Sequence, residues 1–304
     1  MPRCIVVAAI VLLLTTAICY TRSLKAHRFH QPPDSVCAGE SIYQLSKFEP
    51  SDLDFDDQTD TLYVVSDNGK LAALDVNGTI RHQWRVQKKL DLEGVTLIPT
   101  RHDVVYLGVE YPAEIVEFHL SQGIITRRWL IQDVYDRYPP PSFSTNAGLE
   151  SLVYIPCDHG YLYAGRQADT RVFMFDIPSA NTNSLAFRGT FVPPGPAIDL
   201  SAMTVYKNTL FFLYDKPRQL VGVDLSDPKW RPTGNEAVNV DAKRDLGKGH
   251  LHMHRDGMEG LVINGKHAFI AIDTKAEKDL LKFTLSAFWY CFSNDGDVKV
   301  LADR

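Results

Sequence analysis

The chain has 304 residues, 45% of them hydrophobic and 23% charged, with a formal net charge of −5. That is enough apolar material to bury a sizeable core. The acidic balance, and the lack of any Lys/Arg stripe interleaved with aromatics, exclude a nucleic-acid partner and leave small molecules, metal ions and other proteins.

From the N-terminus, Arg3 precedes an uncharged run from Cys4 to Tyr20. Residues 1–20 read as a secretory signal with a small-residue cleavage site at Ala17-Ile18-Cys19. The run is short for a spanning helix, which needs about 20 apolar residues. Arg22, Lys25 and Arg28 behind it keep an uncleaved single-pass anchor as the alternative. In both cases the remainder is expected outside the cytosol, secreted or in the secretory-pathway lumen, and contact with a membrane is expected only if the leader stays on. Residues 21–40 are polar, contain Pro32-Pro33 and read as a linker; residues 41–304 read as the folded domain.

Within that domain one unit recurs. Leu53-Asp54-Phe55, Leu92-Glu93-Gly94-Val95, Leu149-Glu150-Ser151-Leu152, Leu200-Ser201-Ala202-Met203 and Met258-Glu259-Gly260-Leu261 each open it, and two further apolar runs follow. Several short strands repeated at intervals of roughly 40–60 residues predict an all-β propeller, because one such unit cannot bury its own faces and radially stacked units can. The count gives five blades, at about 50–90, 91–131, 148–192, 199–242 and 257–301, with six blades as the alternative if the termini or a long loop add a sheet. Ser41 to Phe48 alternates polar and apolar residues and is expected to close the last blade as its outer strand. Two long connections, Gln132 to Gly148 and Ser226 to Gly257, are expected as lids on the face where the inner strands begin.

That geometry brings side chains together. The residues opening the inner strands lie at the mouth of the central channel: Ser51 or Asp52, Glu93, Glu150, Ser201 and Glu259. Those ending the second strands lie on the same face, slightly further out: Asp67, Glu110, Arg166, Asp215 and Asp273. These five are the expected substrate-binding set, with stabilisation of the following turn as the alternative for the aspartates. Arg166 either binds an anionic group of the substrate or neutralises Glu110 or Glu150. Converging carboxylates repel one another unless a cation, a proton or an arginine compensates them.

His250-Leu251-His252-Met253-His254 puts alternate imidazoles on one face of an extended segment. His252 and His254 are the candidate general bases. Zinc or copper binding and a plain solvated loop stay open for the same residues. Beyond the leader only Cys37, Cys157 and Cys291 remain, so at most one internal disulfide forms. Cys37 and Cys291 lie near opposite ends of the chain, which propellers bring into one blade, and are the expected pair. Asn77-Gly78-Thr79 is a glycosylation acceptor that also reads as a hairpin turn. No Gly-x-Ser-x-Gly elbow, Walker loop or Cys-x-x-Cys pair is present. Trp84, Trp129, Trp230 and Trp289 are expected to pack between blades.

The segments Asn146 to Leu152, Asp199 to Met203, Met258 to Leu261 and Leu62 to Asp67 resemble the repeated elements of the SdiA-regulated propeller family. More distantly, they are similar to phytase-like and esterase-like propellers that carry Glu-Gly-Leu at the inner strand. The resemblance implies a cation-binding channel mouth, with Ca2+ or another divalent ion held by Glu93, Asn146, Glu150 and Glu259. It implies a calcium-dependent hydrolase of a small anionic ester, phosphoester or lactone; a non-catalytic module for a protein or glycan is the alternative. Ser51 and Ser201, where other blades have Glu, depart from a symmetric ring.

Overall fold

The computed structural model describes residues 37–142, 144, 146–156, 160–179, 184–227, 230, 248–250 and 256–292. The leader, and the linker as far as residue 36, lie outside the described residues. Each blade is a four-stranded antiparallel sheet whose strands follow one another outward from the channel. The first blade comprises β2 (Pro50–Asp56), β3 (Thr61–Ser66), β4 (Lys70–Leu74) and β5 (Ile80–Arg85); the second, β6 (Leu92–Leu97), β7 (Val104–Val109), β8 (Glu114–His119) and β9 (Ile124–Leu130). The third is β10 (Leu149–Ile155), β11 (Tyr161–Arg166), β12 (Val172–Asp176) and β13 (Phe187–Phe191). The fourth holds β14 (Leu200–Tyr206), β15 (Thr209–Tyr214), β16 (Gln219–Asp224) and β17 (Lys248–His250). The fifth takes β18 (Met258–Ile263), β19 (His267–Asp273) and β20 (Lys278–Thr284) from the C-terminal part and β1 (Glu40–Ser41) from the N-terminal part. The protein is a five-bladed β-propeller; there is no sixth sheet among the described residues.

The sequence explains why the sheets stack. Inner and second strands are apolar on both faces, as in β3 (Thr61–Ser66), where every residue is buried. Each face therefore needs a neighbouring sheet, and the buried core falls into clusters that bridge adjacent blades. Val65 and Leu71 of the first blade, for example, pack with Val95 and Leu107 of the second. The outer strand β9 alternates exposed and covered residues, whereas β5 is exposed at every residue but Trp84. Gly94 permits close approach: a Cβ there would sit 2.8 Å from the Leu152 Cβ of the next blade.

Ring closure differs in detail from the expectation. The closing strand is Glu40–Ser41 rather than Ser41 to Phe48. Beyond it the chain turns inward, and Ile42, Leu45 and Phe48 are buried against the first and fifth blades. The Ile42 N–H donates to the Leu280 carbonyl at 2.8 Å and the Ser41 hydroxyl to Asp279 Oδ1 at 2.6 Å. Strand structure of the fifth blade ends at Thr284, short of residue 301. Helix α2 (Leu285–Phe292) follows, placing Phe288 and Trp289 against Phe211 and Phe283. Cys291 of this helix is disulfide-bonded to Cys37, with Cα atoms 5.5 Å apart.

The long connections are also placed differently. Gln132 to Gly148 includes the short helix α1 (Gln132–Asp136) and does join an outer strand to the next inner strand. Ser226 to Gly257 does not, because it contains β17, which lies beyond the expected limit of the fourth blade at residue 242. In an antiparallel blade the third-to-fourth connection lies on the face opposite the inner-strand starts. β16 therefore ends, and β17 begins, on the far face, whereas β17 ends and β18 begins at the mouth.

Candidate functional site

Inner strands begin, and second strands end, on one face of the ring. At that face the pairing skips Glu93 between Leu92 and Gly94, Glu150 between Leu149 and Ser151, Ser201 between Leu200 and Ala202 and Glu259 between Met258 and Gly260. Each repeat thus carries a β-bulge at the residue that opens it. A bulge frees one residue from the ladder and re-aims its side chain. The repeated acid is therefore directed by backbone geometry that the strand pattern alone would not produce.

Glu150 is buried, whereas Glu93 and Glu259 are half-buried. Burial and the facing Glu150 carboxylate push Glu93 well above the usual carboxylate range, with Asp91, Glu259 and Glu110 adding to the effect. Burial, Glu259 and Glu110 do the same to Glu150. Glu259 is pushed up to about 8 by burial, Asp215 and Asp199, against partial relief from Lys216 and Lys278. The three inner glutamates thus lie within one another's field, as the repeat predicts. Ser51 and Ser201 do not add to that field: the Ser51 hydroxyl accepts from the Asp67 N–H at 3.0 Å, and the Ser201 hydroxyl donates to the Leu213 carbonyl at 3.4 Å.

A second tier of acids surrounds them. Asp67, Glu110, Asp215 and Asp273 occupy equivalent positions, since each follows the residue that pairs with the start of its inner strand. Asp67 is pushed up to about 6 by burial and by Glu49, and Glu110 to about 7 by burial and a hydrogen-bonded Asp91. Part of this tier is structural. Asp215 Oδ1 accepts from the Met258 N–H at 2.8 Å and Glu110 Oε1 from the Gly148 N–H at 3.5 Å, so each acid holds the start of the following blade. Asp273 pairs with Lys278, which also approaches Glu49 at 3.7 Å.

Two alignments need correction. Arg166 pairs with Leu149, so it stands one residue before the acidic position, which in this blade is Gln167. It is 3% exposed and faces its own blade: it donates to both Asp169 oxygens at 2.8 Å and to the carbonyls of Tyr135 and Tyr138 at 3.2 and 2.6 Å. Its guanidinium anchors the α1 connection and is not presented to a substrate. Asp54 does not match Glu93 either; Ser51 does. Asp54 lies deeper and accepts from the Leu97 N–H of the second blade at 2.8 Å.

Sequence reasoning missed Glu49, Asp91 and Asp199, which lie just outside the apolar runs. Asp199 is 6% exposed and salt-bridged to Lys216 at 2.9 Å. Their signal was an acid directly before the opening Leu, as in Asp91-Leu92 and Asp199-Leu200. Asp52 is 1% exposed and accepts from the Leu53 and Val95 N–H groups at 2.8 and 3.0 Å, tying the first blade to the second. Asn146 is exposed in the connection entering the third blade. His252 and His254 lie outside the described residues. Trp129, Trp230 and Trp289 are buried between blades as expected, whereas Trp84 is half-buried.

Hard carboxylate oxygens, crowded and short of compensating charge, have the donor chemistry a hard divalent ion such as calcium requires. Among the described residues no three His, Cys, Asp or Glu side chains close around a common point.

Fold and site together define a β-propeller with an acid-lined channel mouth. The phytase-like family, described by the esterase-like activity of phytase, matches residues 49–272, and the chain belongs to that family. Among solved structures, the glutaminyl cyclase of Myxococcus xanthus is similar with a TM-score of 0.50 and 10% identity, over 80% of this chain and 91% of that one. At that identity the likeness concerns the fold. No curated protein matches the chain.

Proposed function

We propose that the protein is a calcium-dependent hydrolase whose acid-lined mouth takes a small anionic ester, phosphoester or lactone. The observation that carries this reading is the elevation of Glu93, Glu150 and Glu259 by burial and neighbouring acids at one mouth, a charge deficit that a divalent cation would relieve. These three, with Asn146 as a neutral oxygen donor, would hold the ion. Bound there it would polarise the scissile group and acidify a water molecule. An anionic substrate meets net negative charge on this face unless such a cation is present, with Lys216 and Lys278 supplying local relief at the rim. β17 ends, and β18 begins, on the mouth face, and His252 and His254, which fall between them in the sequence, are the general bases in this reading.

Membership of the family supports a hydrolytic role. A closer kinship with SdiA-regulated propellers rests on the short repeated motifs. An extracytosolic site of action rests on the leader and on Asn77, exposed in the turn between β4 and β5. No helix among the described residues is long and apolar enough to cross a membrane. The alternative, a non-catalytic binding module, is favoured by one observation: Glu110 and Asp215 are engaged with backbone N–H groups of the next blade.

The test compares melting with calcium and with a chelator, alongside turnover of p-nitrophenyl phosphate, p-nitrophenyl acetate and a simple lactone. Wild type should be stabilised by calcium, and Glu150→Gln should lose most of that gain. His254→Ala should keep the stabilisation while lowering turnover at least about a hundredfold. An unchanged calcium shift in Glu150→Gln removes Glu150 from the ligand set. No shift and no turnover on any substrate leaves the binding module.

A further inference from the structure

Away from the acid mouth, a groove of about 550 Å3 opens between the first two blades, within the size range of small-molecule sites. The turns that line it join β6 to β7 and β8 to β9, on the face opposite the mouth. Tyr63 and Trp84 line the groove, and the Trp84 indole N–H donates to the Leu120 carbonyl at 3.0 Å. That bond, an edge contact with Phe118 and the tilted His82 ring at 4.3 Å fix the indole in place. Beside it Gly123, with φ +67, brings no side chain over the indole; even a Cβ there would only touch it at 3.5 Å.

Polar groups surround this platform. Asp103 accepts from both the backbone N–H and the hydroxyl of Ser121 and lies 3.1 Å from His119 Nδ1, so its carboxylate is held in place. His102 and Gln122 are exposed and make no hydrogen bond among the described residues. Among the described residues no lysine or arginine lines the groove. A phosphate, sulfate or carboxylate would meet the Asp103 carboxylate with no lysine or arginine to offset it. An ammonium ligand offers donors alone and would leave the Gln122 amide N–H groups unmatched. Hydroxyl and acetamido groups both donate and accept, matching the amide and the imidazole, while a sugar ring lays its C–H face on an indole.

We propose that this groove binds a neutral saccharide, one hexose or N-acetylhexosamine ring stacked on Trp84 with its hydroxyls on His102, Gln122 and Asp103. This site is separate from the acid mouth and does not depend on hydrolysis there. The test titrates the purified protein with N-acetylglucosamine, N,N′-diacetylchitobiose, maltose and cellobiose, read by ligand-observed NMR and tryptophan fluorescence. At least one sugar should bind saturably. Trp84→Ala should weaken it about tenfold or more, and Gln122→Ala and His102→Ala, which alter only exposed groups, should each weaken it severalfold. Glu150→Gln at the mouth should leave it unchanged. No saturable binding by any of the four sugars overturns the proposal, as does binding of choline chloride in their place. Sugar binding that survives intact in Gln122→Ala and His102→Ala also overturns it, whether or not Trp84→Ala folds.

Discussion

Glu259 opens β18 half-buried, facing Asp215 and Asp199, and its carboxyl is pushed up to about 8. An unfolded glutamate titrates near pH ~4.3. The folded chain therefore holds this proton more tightly than the unfolded one. The resulting stabilisation is fully present below about pH 4 and is lost as pH rises through about 8. Glu110 adds a loss of the same sign through about 7. The melting temperature of the cation-free protein should accordingly fall between about pH 5 and 8, and Glu259→Gln should flatten the upper part of that fall. Calorimetry in chelator across this range checks it; a melting temperature that rises with pH would reverse the assignment. Glu93, Glu150 and Glu259 were legible because each follows the apolar residue that opens its inner strand, at a fixed place in the repeat. Arg166 was misplaced by one residue, since hydrophobic pattern locates a strand but not the bulge that sets what pairs with its last residue.

At the scale of elements, blade-to-blade contact depends on small residues at the bulge. A Cβ on Gly94 would lie 2.8 Å from Leu152 Cβ and 3.0 Å from its backbone nitrogen, and neither inner strand has room to withdraw. Gly94→Ala should cost about 1–3 kcal/mol, whereas Gly265→Ala, with nothing within 4 Å of its Cβ, should stay near neutral. Urea midpoints of the two variants make the comparison. The inner and second strands of every blade were readable from apolar runs. α2 was not, because Leu285 to Phe292 is apolar nearly throughout and such a run does not distinguish strand from helix. β17 escaped notice because only its pairing with β16, and not its composition, marks it as a strand.

For the molecule as a whole, the ring is closed by very little β structure. Two residues of β1 pair with β20, and the Cys37–Cys291 bridge supports them across a sequence separation of 254 residues. Replacing both cysteines by serine should lower stability by about 2–5 kcal/mol. Thermal unfolding of that variant beside wild type measures the loss, and equal melting temperatures would show that β1 holds without the bridge. Closure by the two chain ends was legible from the position of the cysteines. The exact strand was not, because Ile42, Leu45 and Phe48, each three residues from the next, are apolar in order to serve as a buried plug rather than as one face of a strand.

That arrangement also sets an order of events during biosynthesis. The ribosome releases β1 first and β20 among the last elements, so the earliest strand waits unpaired while four complete sheets are made. Until the final segment emerges, the product is an open arc whose first and last sheets each show a bare apolar face to solvent. A message truncated anywhere before β20 therefore yields a chain that cannot seal, however well its finished blades have formed, and quality control would meet those two unsatisfied ends.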